Sequence, residues 1–196
     1  MGDGGRMESN LNGEDLALHY VCTGAQAREI VAGRDRFWLS ACGCREARGN
    51  LCTRSRIDVC LQIHAETAAS AFSDKKEITP DEVDLLLSEA ETKRLVCRPF
   101  RGESDRSVTE GICFCCDDCC GYFLNRGERC DKGTLIEQTD TETCNDCGAC
   151  VDACHFGARS LVDGVLALHR EECFGCGLCL QACALACVEM IPREWG

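Results

Sequence analysis

Between residues 79 and 95 the chain reads TPDEVDLLLSEAETKRL, with Val83, Leu86, Leu87 and Ala90 recurring every three to four positions. That spacing predicts an amphipathic helix that buries one stripe. Thr79 suits the N-cap, Pro80 the first helical position, and Glu82 completes a capping box. AQAREIVAG predicts a shorter helix with Ala25, Ile30 and Val31 on one face, stopping at Gly33. CLQIHAETAASAF sets Leu61, Ala65, Ala68 and Phe72 at helical spacing as well. Further on the period changes. SLVDGVLAL alternates apolar residues around Asp163-Gly164, which predicts a β-hairpin.

These patterns predict an α+β protein in four stretches. Residues 1–13 read as a disordered polar tail, and 14–110 as a small, mostly helical, cysteine-rich domain. Residues 111–133 hold the densest run of thiols and end in a Gly-rich connector. From 134 to 196 a second small domain is built around the hairpin.

Cysteine changes the picture most. The chain carries 21 cysteines among 196 residues, an odd number, and no export signal is recognisable at its start. Arg6 stands where a myristoylation signal would need Ser or Thr. No apolar run is long enough to cross a bilayer. The expectation is a soluble cytoplasmic protein whose thiols ligate metal rather than pair as disulfides. Aromatics are scarce, so bound metal centres are expected to carry part of the stability.

Two cysteine runs have the same spacing: CNDCGACVDAC (144–154) and CFGCGLCLQAC (173–183). At a period of 29 residues, Cys144, Cys147, Gly148, Cys150, Ala153 and Cys154 align with Cys173, Cys176, Gly177, Cys179, Ala182 and Cys183. Three thiols two residues apart wrap a loop around one corner of a cubane, and Gly148 and Gly177 let the backbone approach it. The fourth thiol, three residues on, cannot easily reach the same cube. This region resembles the bacterial-type ferredoxins that carry two 4Fe-4S clusters. The resemblance implies a pseudo-twofold (βαβ)2 fold and crossed ligation. Cluster I would take Cys144, Cys147, Cys150 and Cys183, and cluster II Cys173, Cys176, Cys179 and Cys154. The chain departs from that family where proline usually follows the fourth cysteine, because His155 and Ala184 stand there. Cys187, where the first copy has Ala158, reads as a small buried residue. His155 reads as a surface or supporting residue rather than a ligand. Paired zinc knuckles are the alternative chemistry for such runs.

The other thirteen cysteines include Cys42, Cys44, Cys52 and Cys60, one possible ligand set. Cys113, Cys115, Cys116, Cys119 and Cys120 form a second. Cys22, Cys97 and Cys130 read as buried structural thiols. This arrangement is similar to cysteine-rich extensions on ferredoxin-like proteins of anaerobic microbes, which implies redox work without naming a reaction. One or two further 4Fe-4S clusters are expected there, with zinc as the alternative. Six arginines (Arg34, Arg36, Arg45, Arg48, Arg54 and Arg56) crowd one segment, beside Asp35, Glu46 and Asp58. They would either balance an anionic thiolate centre or form an ordinary solvated surface.

The formal charge of −12 argues against nucleic acid. Residues 134–196 hold three basic residues against ten acidic ones, a net of −7, which suits a redox partner with a basic docking surface. No phosphate-binding loop, dinucleotide fingerprint or C-x3-C-x2-C run is present. The adjacent thiols of CCG (119–121) lack the spacing of heterodisulfide-cleaving sites. Three functions remain: an electron carrier or electron-transfer subunit, a redox enzyme whose N-terminal thiols bind substrate, and a zinc-stabilised redox-sensing interaction module. The first is preferred, and no catalytic residue is assigned.

Overall fold

The computed structural model describes residues 16–49, 52–64, 75–125 and 127–194. The N-terminal half is organised by a seven-stranded sheet in the order β4-β2-β3-β6-β5-β1-β7. Its strands are β1 (His19–Tyr20), β2 (Phe37–Ser40), β3 (Cys60–Gln62), β4 (Lys76–Ile78), β5 (Val96–Arg101), β6 (Thr109–Cys115) and β7 (Cys130–Asp131). All neighbours are antiparallel except β1 and β7. Helices α1 (Gly24–Val31) and α3 (Pro80–Thr92) cover one face, and short helices α2 (Gly43–Ala47) and α4 (Gly121–Asn125) flank the thiol-rich turns.

Both long helices begin as their sequences dictate. Thr79 Oγ1 accepts from the Glu82 amide while Glu82 returns a bond to the Thr79 amide, and Thr23 with Gln26 repeats the device on α1. Val83, Leu86, Leu87 and Ala90 are all buried, as is Ala27 of α1. Arg28 ties the two helices together through Asp84, Ser88 and Glu91.

The expectation of a mostly helical unit over 14–110 is corrected here: the unit is a sheet that carries two helices. Leu61, expected on a helix, lies in β3, between Leu39 of β2 and Ile112 of β6. Ala65, Ala68 and Phe72 lie outside the described residues. The strands are two to seven residues long, so few of them carry enough alternation to register as period-two segments. Residues 111–133 are no mere connector either, since they finish β6 and supply α4 and β7.

Period-two alternation explains where the chemistry goes. Leu39, Leu61, Ile112 and Phe114 join the core under α1 and α3. The intervening row runs Ser40, Cys60, Cys113 and Arg98 across four strands, in direct register. One face of the sheet is therefore hydrocarbon, and the other presents sulfur and guanidinium.

Residues 134–194 form strand, helix and strand twice. β8 (Leu135–Thr139), α5 (Ala149–Asp152) and β9 (Arg159–Val162) are followed by β10 (Val165–Leu168), α6 (Leu178–Ala182) and β11 (Val188–Pro192). β8 pairs with β11 and β9 with β10, both antiparallel. Asp163 (φ 51°) and Gly164 (φ 83°) make the tight turn of the expected hairpin. No helix among the described residues is long and apolar enough to cross a membrane.

The two halves share a second apolar cluster. Val21, Val96 and Leu178 pack there with Phe156, Phe174, Tyr122 and Phe123. Phe156 and Phe174 stack at 4.5 Å. Leu86→Ala, in the first core, is expected to cost about 2–5 kcal/mol, and Thr79→Ala about 1 kcal/mol. Anaerobic urea denaturation followed by circular dichroism measures both.

Candidate metal centres

In the C-terminal unit each cysteine run is a loop entering a short helix. Gly148 and Gly177 are the N-caps of α5 and α6, both at φ 77°. A side chain at Gly148 would press on Leu161, and one at Gly177 on Thr23, so glycine is needed for both conformation and clearance. The loops bend their amides inward, and the Asp146 N–H donates to Cys144 Sγ at 3.4 Å.

The eight sequence-paired cysteines line two separate cavities. Cys144, Cys147, Cys150 and Cys183 surround one of about 170 Å³. Cys154, Cys173, Cys176 and Cys179 surround another of about 20 Å³. Each group draws three thiols from one run and one from the other. Cys187 is buried, as expected, but it lines the first cavity, with its Sγ 3.3 Å from Cys183 Sγ. Burial pushes the Cys179 thiol up to about 11 against the opposing pull of Arg159, and burial raises Cys176 as well. Filling such sites requires displacing protons from thiols. An all-sulfur donor set, an amide aimed at sulfur and a wall of apolar residues suit an iron–sulfur cluster.

Arg159 lines both cavities and is 4% exposed. Its Nη2 donates to Glu137 Oε2 and to Thr139 Oγ1 (2.7 Å), while Nη1 has no hydrogen-bond partner among the described residues. The guanidinium thus stands between two thiol groups, within reach of Cys150 and Cys179. Sequence reasoning missed it. The signal was in the repeat: Arg159 aligns with Val188, so a charge occupies a buried apolar position of the other copy.

The N-terminal thiols regroup relative to expectation. Cys42, Cys44, Cys52 and Cys60 do not form one set. Cys52 meets Cys116 (3.6 Å), Cys116 meets Cys119 (3.1 Å), and Asp118 Oδ1 accepts from Cys52 at 3.7 Å. Cys42 contacts Cys44, Cys44 contacts Cys120, and Cys120 contacts Cys115. Cys60 pairs with Cys113 across β3 and β6. The cause is geometric. Cys115 ends β6 and Cys116 follows it, so their side chains leave on opposite sides, while the turn at 117–119 sends Cys119 and Cys120 to different groups. Cys115 and Cys120 go one way, Cys116 and Cys119 the other.

A cavity of about 70 Å³ is lined by Cys42, Cys44, Cys113, Cys115 and Cys120 together with Arg45 and Arg98, and Cys119 borders it from the neighbouring group. Arg98, 2% exposed, donates to Cys120 Sγ (3.4 Å) and Cys115 Sγ (3.7 Å), and its guanidinium lies over the Tyr122 ring. Arg45, 1% exposed, donates to Cys116 Sγ at 3.6 Å and to the carbonyls of Arg56 and Phe114. Hydrogen bonds from Cys120 and Cys42, with the Gly121 amide and Arg98, hold Cys44 well below the usual thiol range. A hydrogen bond from Cys113 lowers Cys60 to about 7. Thiolate charge at these positions is what makes buried guanidinium tolerable. Of the arginine-rich segment only Arg45 reaches sulfur. Arg36, Arg54 and Arg56 pair with Glu77, Asp117, and Asp58 and Glu89.

Cys22 and Cys97 are buried bridge partners, as expected of structural thiols, and Cys130 is half-buried on β7. His155 is no surface residue: its side chain is 2% exposed. It meets Asp117 Oδ2 (3.4 Å), the Arg94 carbonyl (2.9 Å) and Arg54 Nη1 (3.3 Å), joining the C-terminal unit to the N-terminal one.

Compared with known protein families, residues 137–160 match the model of the 4Fe-4S binding domain. No curated protein and no solved structure matches the chain. The match covers Cys144, Cys147, Cys150 and Cys154 and supports an iron–sulfur electron-transfer role in general terms. His155→Ala is expected to destabilise the protein by about 1–3 kcal/mol, since Asp117 and the Arg94 carbonyl lose a buried partner. Anaerobic thermal unfolding measures the loss, and an unchanged midpoint contradicts the joining role.

Proposed function

We propose that the protein is an iron–sulfur electron carrier, or the electron-transfer subunit of a larger oxidoreductase, with two 4Fe-4S centres related by a pseudo-twofold axis. Cys144, Cys147, Cys150 and Cys183 would hold one, and Cys173, Cys176, Cys179 and Cys154 the other. The observation that carries this reading is the make-up of the two cavities, each lined by three thiols of one run and the fourth of its twin. When bound, such centres take up and release single electrons without bond chemistry on the polypeptide.

The polypeptide supplies access, shielding and charge. Cys147 is exposed, so the first site reaches the surface, and Asp140, Glu142 and Asp152 stand exposed in the same segment. That corner suits a partner presenting Lys and Arg. The second site lies beneath Phe156 and Phe174, which exclude water from it. Arg159 places positive charge beside both sites, which favours the more negative, reduced state.

One observation favours an added role for the N-terminal half. The cavity among Cys42, Cys44, Cys115 and Cys120 adjoins the apolar cluster that also contains Cys154 and Cys176. A further iron–sulfur centre there would sit next to the second site, extending the relay or serving a substrate.

Iron and acid-labile sulfide on anaerobically purified protein test the count. Roughly 8 of each are expected from the two C-terminal sites, and roughly 12 if the N-terminal cavity is filled. Fewer than about 4 would sink the reading. Arg159→Gln is expected to lower the reduction potentials of both C-terminal centres by tens of millivolts in spectroelectrochemical titration; unchanged potentials contradict its role. Reduction by a basic redox partner should slow as ionic strength rises. A rate indifferent to salt counts against acidic docking.

A further inference from the structure

We propose that Cys52, Cys116, Asp118 and Cys119 hold one tetrahedral divalent ion of the zinc class, separate from any iron–sulfur cluster. Among the described residues this is the one group of three or more Cys, His, Asp or Glu whose donor atoms all lie within 4.8 Å of one another. Zn–S bonds of about 2.3 Å and a Zn–O bond of about 2.0 Å give a tetrahedron with edges of about 3.8 Å between sulfurs and about 3.5 Å from sulfur to oxygen. The separations are 3.6 Å (Cys52 to Cys116), 3.1 Å (Cys116 to Cys119) and 3.7 Å (Cys52 to Asp118). Four thiolates on the irons of a cubane stand much farther apart, because a whole cluster lies between them. The group is too tight for the extra iron–sulfur cluster that the sequence suggested.

The surroundings are built for an anionic centre. Three thiolates and one carboxylate around a divalent ion leave a net charge of −2, with three protons released from the thiols on binding. Arg45, buried, donates to Cys116 Sγ, and its Nε has no hydrogen-bond partner among the described residues. The Ser55 amide donates to Cys52 Sγ at 3.4 Å. Thr53 fixes the carboxylate: its amide and hydroxyl bond Asp118 Oδ2 at 3.0 and 3.1 Å, leaving Oδ1 toward the thiols. Supports of this kind orient ligands and select their protonation state.

The ion would staple residues 52–55 to the turn at 116–120. That turn also carries Cys120 into the neighbouring cavity and Asp117 onto His155. The inference does not depend on the ferredoxin reading, and its test separates the two. Full-length protein, purified anaerobically from zinc-supplemented medium, is analysed for zinc and iron and by zinc-edge X-ray absorption. One zinc per chain in a shell of three sulfurs and one oxygen is expected. Cys52→Ser combined with Cys116→Ser, neither of which lines the neighbouring cavity, should abolish bound zinc while the iron content stays at its wild-type value. Absence of zinc from the wild type, a shell lacking the oxygen, or zinc retained by the double variant each overturns the proposal. Should the variant not fold, the wild-type shell alone decides it.

Discussion

Buried positive charge facing sulfur is the constraint on which the structure turns. Arg45, Arg98 and Arg159 are almost wholly enclosed, and each lies against cysteine thiols. A guanidinium removed from water is tolerable only beside compensating negative charge. Glu137 supplies part of it for Arg159 and Glu128 part for Arg98. Thiolates, free or metal-bound, supply the rest. The sulfur-bearing part of the interior is thus polarised, unlike the hydrocarbon core under the helices, and its stability is tied to the ionisation of its cysteines.

The sheet makes that arrangement possible. Alternation along β3, β5 and β6 sends Leu61, Ile112 and Phe114 toward the helices and sends Cys60, Arg98 and Cys113 the other way. Divergence at the end of β6 separates Cys115 from Cys116, and the turn at 117–119 separates Cys119 from Cys120, between two neighbouring groups. A single dense run of thiols therefore serves two places. The C-terminal unit docks on this sulfur-bearing side through Phe156 and Phe174 against Tyr122, with the His155 side chain buried at the junction. His155 follows Cys154 where ferredoxins usually place proline, and it gains contacts to Asp117 and Arg94 that proline could not make.

The C-terminal unit was largely legible because its information is local. The 29-residue repeat, the Asp-Gly turn and the paired glycines each predict geometry within a few residues, and the hairpin and both left-handed caps follow. α3 was legible for the same reason, since its capping box and stripe need no partner to be recognised. The seven-stranded sheet was not. Its short strands join residues as distant as His19 and Cys130, and no local pattern announces such pairing. The N-terminal ligand groups failed for that reason too: Cys52 finds Cys116 across 64 positions. Arg98 and Asp118 carried no sequence signal, whereas Arg159 could have been noticed against Val188.

Thiols that cross between the two halves of the C-terminal repeat are the central feature of the proposed electron carrier. The most direct measurement is iron anomalous scattering from crystals grown without oxygen. Two four-iron clusters are predicted, one bounded by Cys144, Cys147, Cys150 and Cys183, the other by Cys173, Cys176, Cys179 and Cys154. Iron density enclosed by the four thiols of a single run, or none near either run, would contradict it.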